Sequence, residues 1–183
     1  EVNSVTLGAF DFSNLTTENI DRIEVLRGGG GTLYGSQAVG GVINIITKSP
    51  TQEPYARVSS AFGRFGTQEY SLSHRWKPGP LGYGLFASYG RSDGYRPNSD
   101  YDSWVLGGEL SYDLPWKGEL KLSARNIQKE VGVPGTITFS DPDDRQKDNL
   151  TQLDLNYRDK IGSTVALNFR GWQNIYRQTF DPG

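Results

Sequence analysis

The sequence predicts a mainly β protein: a transmembrane antiparallel β-barrel segment of about seven strands, preceded by a small mixed α/β unit. Three observations lead to this prediction. From residue 55 onward, segments of about ten residues alternate polar and apolar side chains. The connections between these segments alternate between tight and long. Aromatic residues stand beside the tight connections, and helical periodicity is absent from this part of the chain.

The first fifty residues have a different pattern. Residues 14–20 place hydroxyl capping residues ahead of an acidic and an apolar residue, which predicts a short helix start. Residues 22–27 alternate charged and aliphatic side chains and predict a half-buried strand. Residues 42–47 are nearly apolar throughout and predict a second strand, which Pro50 ends. We therefore expect one unit over residues 1–50 and a second over residues 51–183.

In the second unit, turn residues rich in glycine and proline separate the alternating segments. One of them shows the pattern clearly: Trp104, Leu106 and Leu110 fall on one face, whereas Ser103 and Glu109 fall on the other. The predicted strands are residues 55–64, 68–77, 83–92, 101–114, 119–129, 150–158 and 163–176.

Alternation alone does not separate a membrane barrel from a soluble sandwich. Strands of this length suit a tilted membrane crossing, which needs about 9–11 residues. Tight connections at residues 79–82, 115–118 and 159–162 alternate with long ones at 93–100 and 130–149, as in outer-membrane barrels. Aromatic residues next to the tight turns would share one level as an interfacial girdle, and together these features favour the membrane barrel. The girdle residues are Trp76, Tyr83, Tyr112, Trp116 and Tyr157.

Composition excludes several classes of function. With 19 Lys+Arg against 21 Asp+Glu, the net charge of -2 lacks the basic excess that binds nucleic acid. The chain has no cysteine, so thiolate metal sites and cysteine nucleophiles are excluded. Its single histidine, His74, has no catalytic partner at a recognisable spacing, and we do not expect an enzyme.

The sequence resembles a known family at residues 21–28 and 33–48. These segments look like the end of the plug domain of TonB-dependent outer-membrane receptors, although three glycines at residues 29–31 replace the proline that the family usually carries. Residues 132–135 and 143–146 are similar to a long loop of the cobalamin and siderophore receptors. The resemblance implies that the chain is a fragment of a longer receptor, covering the end of the plug domain (residues 1–50) and the first strands of the barrel (residues 51–183).

The resemblance also implies a function and its partners. In this family, a receptor in the bacterial outer membrane imports a scarce nutrient such as cobalamin or a ferric siderophore. Plug apices and extracellular loops bind the small-molecule ligand, and TonB with its inner-membrane energising complex drives plug rearrangement through an N-terminal box that these residues lack. Outer-membrane lipid surrounds the barrel, and no nucleic acid is involved. The alternative that we keep is a non-energised outer-membrane binding protein or adhesin.

Two sets of plug residues are candidates for function on this resemblance. Phe10, Asp11 and Phe12 correspond by position to an apex loop that faces external ligand; otherwise the two phenylalanines pack on the barrel. Arg22, Glu24 and Arg27 project from a strand that the family packs inside the barrel, where charges must be paired, so they are candidates for a plug–barrel lock. Arg27 is the foremost candidate for that lock, and the alternative is an ordinary solvated strand face.

The long loops are acidic, and calcium is a candidate cofactor there. Calcium prefers several converging carboxylate oxygens, which two neighbouring loops would supply. Some cobalamin receptors order these loops with calcium, but solvated surface acids are the other interpretation. The candidate ligands are Asp100, Asp102, Asp141, Asp143 and Asp144.

Overall fold

The computed structural model describes residues 19–28, 41–162 and 164–183, and the chain divides into two compact units, residues 1–48 and 49–183. In the first unit, β1 (Ile20–Arg27) pairs antiparallel with β2 (Gly41–Thr47). The two predicted strands of this unit are confirmed. The predicted helix lies outside the described residues except at its end, where Ile20 already belongs to β1.

The second unit is a seven-stranded antiparallel meander in which every strand pairs with its neighbours in the chain. This topology confirms the predicted fold class. The meander forms because turn residues separate each alternating segment from the next, so that consecutive strands pair. In the part of the chain that the structure describes, no helix is long and apolar enough to cross a membrane. The strands are β3 (Tyr55–Phe62), β4 (Gln68–Trp76), β5 (Leu81–Ser92), β6 (Tyr101–Asp113), β7 (Glu119–Gly132), β8 (Arg145–Ile161) and β9 (Val165–Asp181).

The last two strands are longer than predicted. β8 begins at Arg145 rather than near residue 150, and β9 continues to Asp181 rather than ending near residue 176. The second long loop therefore spans only residues 133–144. Asp102, which we expected in the first long loop, lies within β6.

One face of this sheet exposes large apolar side chains that a soluble protein would bury. On β6, Leu106 is 66% exposed whereas its neighbour Val105 is 3% exposed. We call the face that carries Leu106 the outer face and the opposite one the inner face. The buried apolar residues Phe86, Val105, Ile127 and Leu150 all lie on the inner face. Exposed apolar residues on the outer face include Leu72, Leu85, Trp104, Leu106, Leu110, Leu122, Leu153 and Leu155.

The apolar band on the outer face runs obliquely across the strands. On β4 it ends at Tyr70, whose lateral row passes through Tyr89, Trp104 and Gln128 to Asn149 on β8. On β8, however, the highest outward apolar residue is Leu153, four residues further along (149 to 153) over four strand steps. A displacement of one residue per strand is what strands tilted to a membrane normal produce.

Aromatic rings mark both margins of this band. Near the long loops, Tyr70 stacks on Tyr89 at 6.5 Å between ring centroids, and Tyr89 contacts Trp104 at 4.4 Å. Next to the tight turns, Trp76 lies opposite Tyr83. One row further along, Tyr157 donates a hydrogen bond of 2.7 Å to Asp159, which also accepts one from Trp116 at 3.1 Å. These are the margins where amphipathic rings meet lipid headgroups.

Candidate ligand-binding loops and inner wall

The two long loops, residues 93–100 and 133–144, pack against each other. Asn98 adopts a positive φ of 55°, a conformation that asparagine tolerates better than most residues. Its side-chain amide donates to the backbone carbonyls of Asp141 (3.2 Å) and Asp144 (2.9 Å). The backbone of Asn98 comes so close to Gly132 that any Cβ there would overlap it. These contacts hold the first loop against the base of the second.

Arg145 joins the same two loops through charge. Its Nη1 donates to both carboxylate oxygens of Asp100 at 2.9 Å, and its Nε donates to Glu130 at 3.3 Å. Lys147 lies 3.3 Å from the second oxygen of Glu130. Hydrogen bonds between charged partners are shorter and stronger than those between neutral groups. The first residue of β8 is therefore tied both to the first loop and to the end of β7.

The tip of the second loop is apolar and exposed. Gly135 and Ser140 form a β-bridge that closes the tip, and Arg96 donates from Nη2 to the Gly135 carbonyl at 2.8 Å. Between them, Ile137 is 95% exposed and Phe139 is 81% exposed. Large apolar side chains on an anchored, solvent-facing turn are suited to contacting a ligand or a partner.

Below the loops, the inner face forms an apolar and aromatic wall. Val105, Ile127 and Leu150 lie directly opposite one another on β6, β7 and β8, and Tyr176 on β9 extends this row. The Tyr176 hydroxyl donates to Asp148 at 2.7 Å, and the other oxygen of Asp148 accepts from Gln146 at 2.8 Å. Asp148 is buried and both of its oxygens are satisfied. This wall is therefore an apolar surface that also carries hydrogen-bonded polar groups.

Further along the inner face the wall becomes charged. The Arg125 guanidinium lies 5.0 Å from the Phe86 ring centroid, a cation–π arrangement. Among the described residues, Oε1 of Glu109 and one terminal guanidinium nitrogen of Arg125 are buried without a hydrogen-bond partner. Buried polar atoms are rarely left unpaired in folded proteins, so this part of the wall is suited to receiving polar groups from another segment.

Of the predicted lock residues, the structure brings two together. Arg22 Nε donates to Glu24 at 2.9 Å, and Asn44 on β2 donates to the other Glu24 oxygen at 3.1 Å. The hydrogen bond from Arg22, followed by that from Asn44, lowers the pKa of the Glu24 carboxyl. Arg27 faces the opposite side of β1, because side chains alternate along a strand. The predicted apex residues Phe10, Asp11 and Phe12 lie outside the described residues.

The acidic residues proposed for calcium do not converge. Asp100 is paired with Arg145, and Asp102 on β6 accepts a 2.6 Å hydrogen bond from Tyr89. Asp141 caps its own turn by accepting from the backbone N–H groups of Asp143 (3.2 Å) and Asp144 (2.8 Å). Within residues 19–28, 41–162 and 164–183, no group of three acidic, histidine or cysteine residues is arranged to hold a metal ion. Calcium in these loops therefore stays a sequence-based prediction, which the contacts of these carboxylates do not support.

The ion pairs of Arg145 with Asp100 and Glu130 were not predicted from the sequence, because residues 143–146 were assigned to a loop. Arg145 begins β8, and only the register of the sheet brings it beside Glu130 and Asp100. His74 faces outward and stacks on Tyr83 at 5.5 Å between ring centroids.

Comparisons with known proteins agree with this architecture. Residues 1–42 match the family model described as the TonB-dependent Receptor Plug Domain. The chain is 41% identical over 216 aligned residues to the vitamin B12 transporter BtuB of Photobacterium profundum, covering 97% of this chain and 35% of that protein. It is 32% identical over 157 residues to BtuB of Vibrio cholerae serotype O1, covering 79% of this chain and 25% of that protein.

A solved structure shares the fold. The open form of the ferric-catecholate import receptor Fiu from E. coli K12 superposes with a TM-score of 0.78 at 16% identity, covering 90% of this chain and 30% of that chain. The chain thus spans about a quarter to a third of the length of the proteins it matches. The relatives are transport receptors rather than enzymes.

Proposed function

Because the chain belongs to the TonB-dependent outer-membrane receptors, we propose that the full-length receptor imports a cobalamin-type nutrient across the outer membrane by TonB-driven rearrangement of its plug. The observation that carries this proposal is the 41% identity to a vitamin B12 transporter over 97% of the chain. The chain lies in the bacterial outer membrane, as its relatives do.

The loops and the inner wall provide a suitable surface for such a cargo. Cobalamin is bulky, with an apolar ring edge and many amide groups, and it is matched by a wall that combines apolar rows with fixed hydrogen-bonding groups. Leu150 and Tyr176 supply the apolar and aromatic surface, whereas Gln146 and Asp148 are held in place by their own hydrogen bonds. A ferric siderophore is the other cargo class that we consider, because the fold is shared with a ferric-catecholate import receptor.

Energy for import would come from TonB and its inner-membrane complex, acting on the plug. In this proposal Phe10, Asp11 and Phe12 contact the cargo from the plug side. The lock function is retained for Arg27, since Arg22 and Glu24 already form an ion pair with each other. Movement of the plug would then require Arg27 to exchange partners.

The test is uptake of radiolabelled cyanocobalamin by cells that lack their own cobalamin receptor and express the full-length receptor. We expect uptake when TonB is present, and surface binding without uptake when TonB is deleted. A parallel assay with a ferric catecholate siderophore assigns the cargo class.

Two outcomes would overturn the proposal. Equal uptake with and without TonB would indicate a passive channel. Binding without uptake in both strains would indicate a non-energised binding protein or adhesin.

A further inference from the structure

Unpaired polar atoms gather on one part of the inner face. In the part of the chain that the structure describes, five side chains hold a buried nitrogen or oxygen atom without a hydrogen-bond partner. Four of the five project from the inner face, in the half of the sheet nearer the tight turns. They are Arg75 (Nε), Glu109 (Oε1), Arg125 (Nη2) and Asn156 (Oδ1). Because buried polar atoms are nearly always paired in folded proteins, this clustering indicates a surface whose partner comes from outside the sheet.

The register of the sheet places these groups side by side. Arg75 on β4 and Glu109 on β6 lie in one lateral row, with β5 between them. On β7, Arg125 is the diagonal neighbour of Glu109, about 7–8 Å away. Asn156 lies on β8, two residues from Asp154, which belongs to the row of Glu109. The four side chains therefore form one patch rather than isolated defects.

A position without a side chain opens the wall between Arg75 and Glu109. Gly84 occupies it, and a Cβ there would have only the Arg75 Cβ within 4 Å, at 3.8 Å. Arg75 lies over the Tyr55 ring, 4.2 Å from its centroid, and Arg125 lies over an aromatic ring in the same way. A guanidinium has several N–H donors, so a cation–π contact leaves donors available for hydrogen bonds.

Four charged neighbours on β7, β8 and β9 are already paired with each other. Lys121 lies 3.4 Å from Glu119. Arg170 donates to Asp154 at 2.7 Å. The hydrogen-bonding capacity that remains in this patch therefore belongs to the two arginines, the glutamate and the asparagine with unpaired atoms.

These unpaired atoms are two donors, on Arg75 and Arg125, and two acceptors, on Glu109 and Asn156. A primary carboxamide matches both kinds, because its oxygen accepts from a guanidinium and its nitrogen donates to a carboxylate. A carboxylate or a catecholate only accepts, so it would leave Glu109 unpaired and be repelled by it. The Glu109 side chain is half-buried, and a carboxylate turns about its terminal bond with little hindrance, so its unpaired oxygen can face a ligand.

We propose that this patch is a second cargo site, which binds primary carboxamide groups once the cargo has left the extracellular loops. Glu109 accepts from an amide nitrogen, and Arg75 and Arg125 donate to amide oxygens. The inference rests on the proposed function, since the corrin ring of cobalamin carries several such amides. It also names a basis for selectivity, because acidic siderophores lack the donors that Glu109 requires.

The test measures contact between the cargo and this patch in cells that have TonB and express the full-length receptor. A photoreactive diazirine amino acid replaces Ser123, which lies directly opposite Glu109 on the inner face. The same replacement at Leu122, on the outer face, gives the background. The probes are radiolabelled cyanocobalamin and a derivative in which one corrin amide is hydrolysed to a carboxylate. The crosslinking yield is divided by the amount of each probe bound at the cell surface.

We expect about fivefold more crosslinking with cyanocobalamin than with the carboxylate derivative, the factor that one hydrogen bond is worth. Glu109→Gln should remove this preference, because a glutamine amide donates to a carboxylate and does not repel it. Arg125→Gln should increase the preference, because the carboxylate loses a charged donor. Glu119→Gln is the matched control: it removes an acid from the same face whose carboxylate is paired with Lys121, and it should keep the preference.

Heat-modifiable electrophoretic mobility identifies variants that have failed to fold, and two variants with opposite expected shifts keep the test decisive if one of them misfolds. An unchanged preference in Glu109→Gln, or an equal loss in Glu119→Gln, would overturn the inference. Crosslinking at Ser123 that does not exceed that at Leu122, while cyanocobalamin is still imported, would also overturn it and would indicate that another segment of the receptor pairs these atoms. Absence of TonB-dependent cyanocobalamin import would instead overturn the proposed function, and the inference with it.

Discussion

Arg145 and Asp100 form an ion pair in which one guanidinium nitrogen lies 2.9 Å from both carboxylate oxygens. The two residues are 45 positions apart in the chain. The pair therefore connects the start of β6 to the start of β8, with β6, β7 and the second loop between them in sequence. Because Asn98 secures the same loops through backbone carbonyls, charge and hydrogen bonding act at one junction. We therefore expect the two loops to move as one unit.

Arg145→Ala should loosen that unit without unfolding the barrel. The pair is partly exposed, so its loss should cost only about 1 kcal/mol, equivalent to a roughly fivefold increase in local opening. Limited proteolysis of the full-length receptor in detergent, read as the rate of cleavage within residues 133–144, measures this opening. Arg158→Ala, at the other end of β8, is the control. Equal cleavage rates in the two variants would show that the Arg145–Asp100 pair does not hold the loops.

Gly107→Ala should destabilise the barrel. A Cβ at this position would overlap the ring of Phe86, which extends across Gly107 towards the guanidinium of Arg125. Overpacking of this kind costs about 1–3 kcal/mol. Gly84→Ala is the matched control, because a Cβ at Gly84 would meet its nearest neighbour at an ordinary 3.8 Å. The measurement is the heat-induced mobility transition of the two variants, and a transition at the same temperature in both would contradict the packing described at Phe86.

Leu106→Arg should be costly because it places a charge in the hydrocarbon. Near the middle of a membrane, an arginine on the lipid face of a barrel costs about 2–4 kcal/mol. Ser103→Arg, on the inner face of the same strand, should cost much less. Denaturant unfolding in lipid vesicles compares the two, and a larger cost at Ser103 would reverse the assignment of the faces.

Calcium should leave the extracellular loops unchanged. The carboxylate of Asp100 is held by Arg145, and one oxygen of Asp141 accepts from two backbone N–H groups, so the carboxylates are not arranged to converge on a cation. Cleavage of residues 133–144 should therefore proceed at the same rate in about 1 mM calcium as in chelator, although extracellular modules bind calcium in this concentration range. Protection by calcium that Asp144→Asn abolishes would instead establish the site suggested by the acidic loop sequence.

The number of strands and their faces were predictable from sequence because outward and inward residues differ in polarity along most of each strand. Leu106 and Ser103 on β6 show this difference, whereas Leu106 and Val105 are both apolar. The ends of β8 and β9 were not predictable in this way. Towards the long loops both faces of these strands carry polar residues, as Lys147 on the outer face and Asp148 on the inner face of β8 show, and the alternation that marks a strand weakens. In this polar part, β8 still pairs with β7 and β9 through backbone hydrogen bonds. Backbone pairing of this kind does not depend on the side-chain pattern, so the sequence does not predict it.

The arrangement of the candidate site residues was only partly predictable. Arg22 and Glu24 are two residues apart and share a face, which the strand period already implies, whereas Arg27 falls on the other side. Asp102 was grouped with the acidic loop residues, but it lies in β6, where its neighbour across the sheet is Arg91 on β5. Convergence of side chains depends on register and loop packing, and composition alone does not report either.

The most direct test of the central claim, that the apolar outer face lies in lipid, is the accessibility of nitroxide spin labels in the full-length receptor reconstituted in bilayers. The 183 residues contain no cysteine, so single cysteines can be introduced there without background labelling from this segment. Leu106→Cys and Leu122→Cys place labels on the outer face, and Ser103→Cys and Ser123→Cys place them on the inner face. We expect the outer labels to collide mainly with dissolved oxygen and to be shielded from a polar nickel chelate. Outer labels that meet the nickel chelate as readily as the inner ones would contradict the membrane assignment.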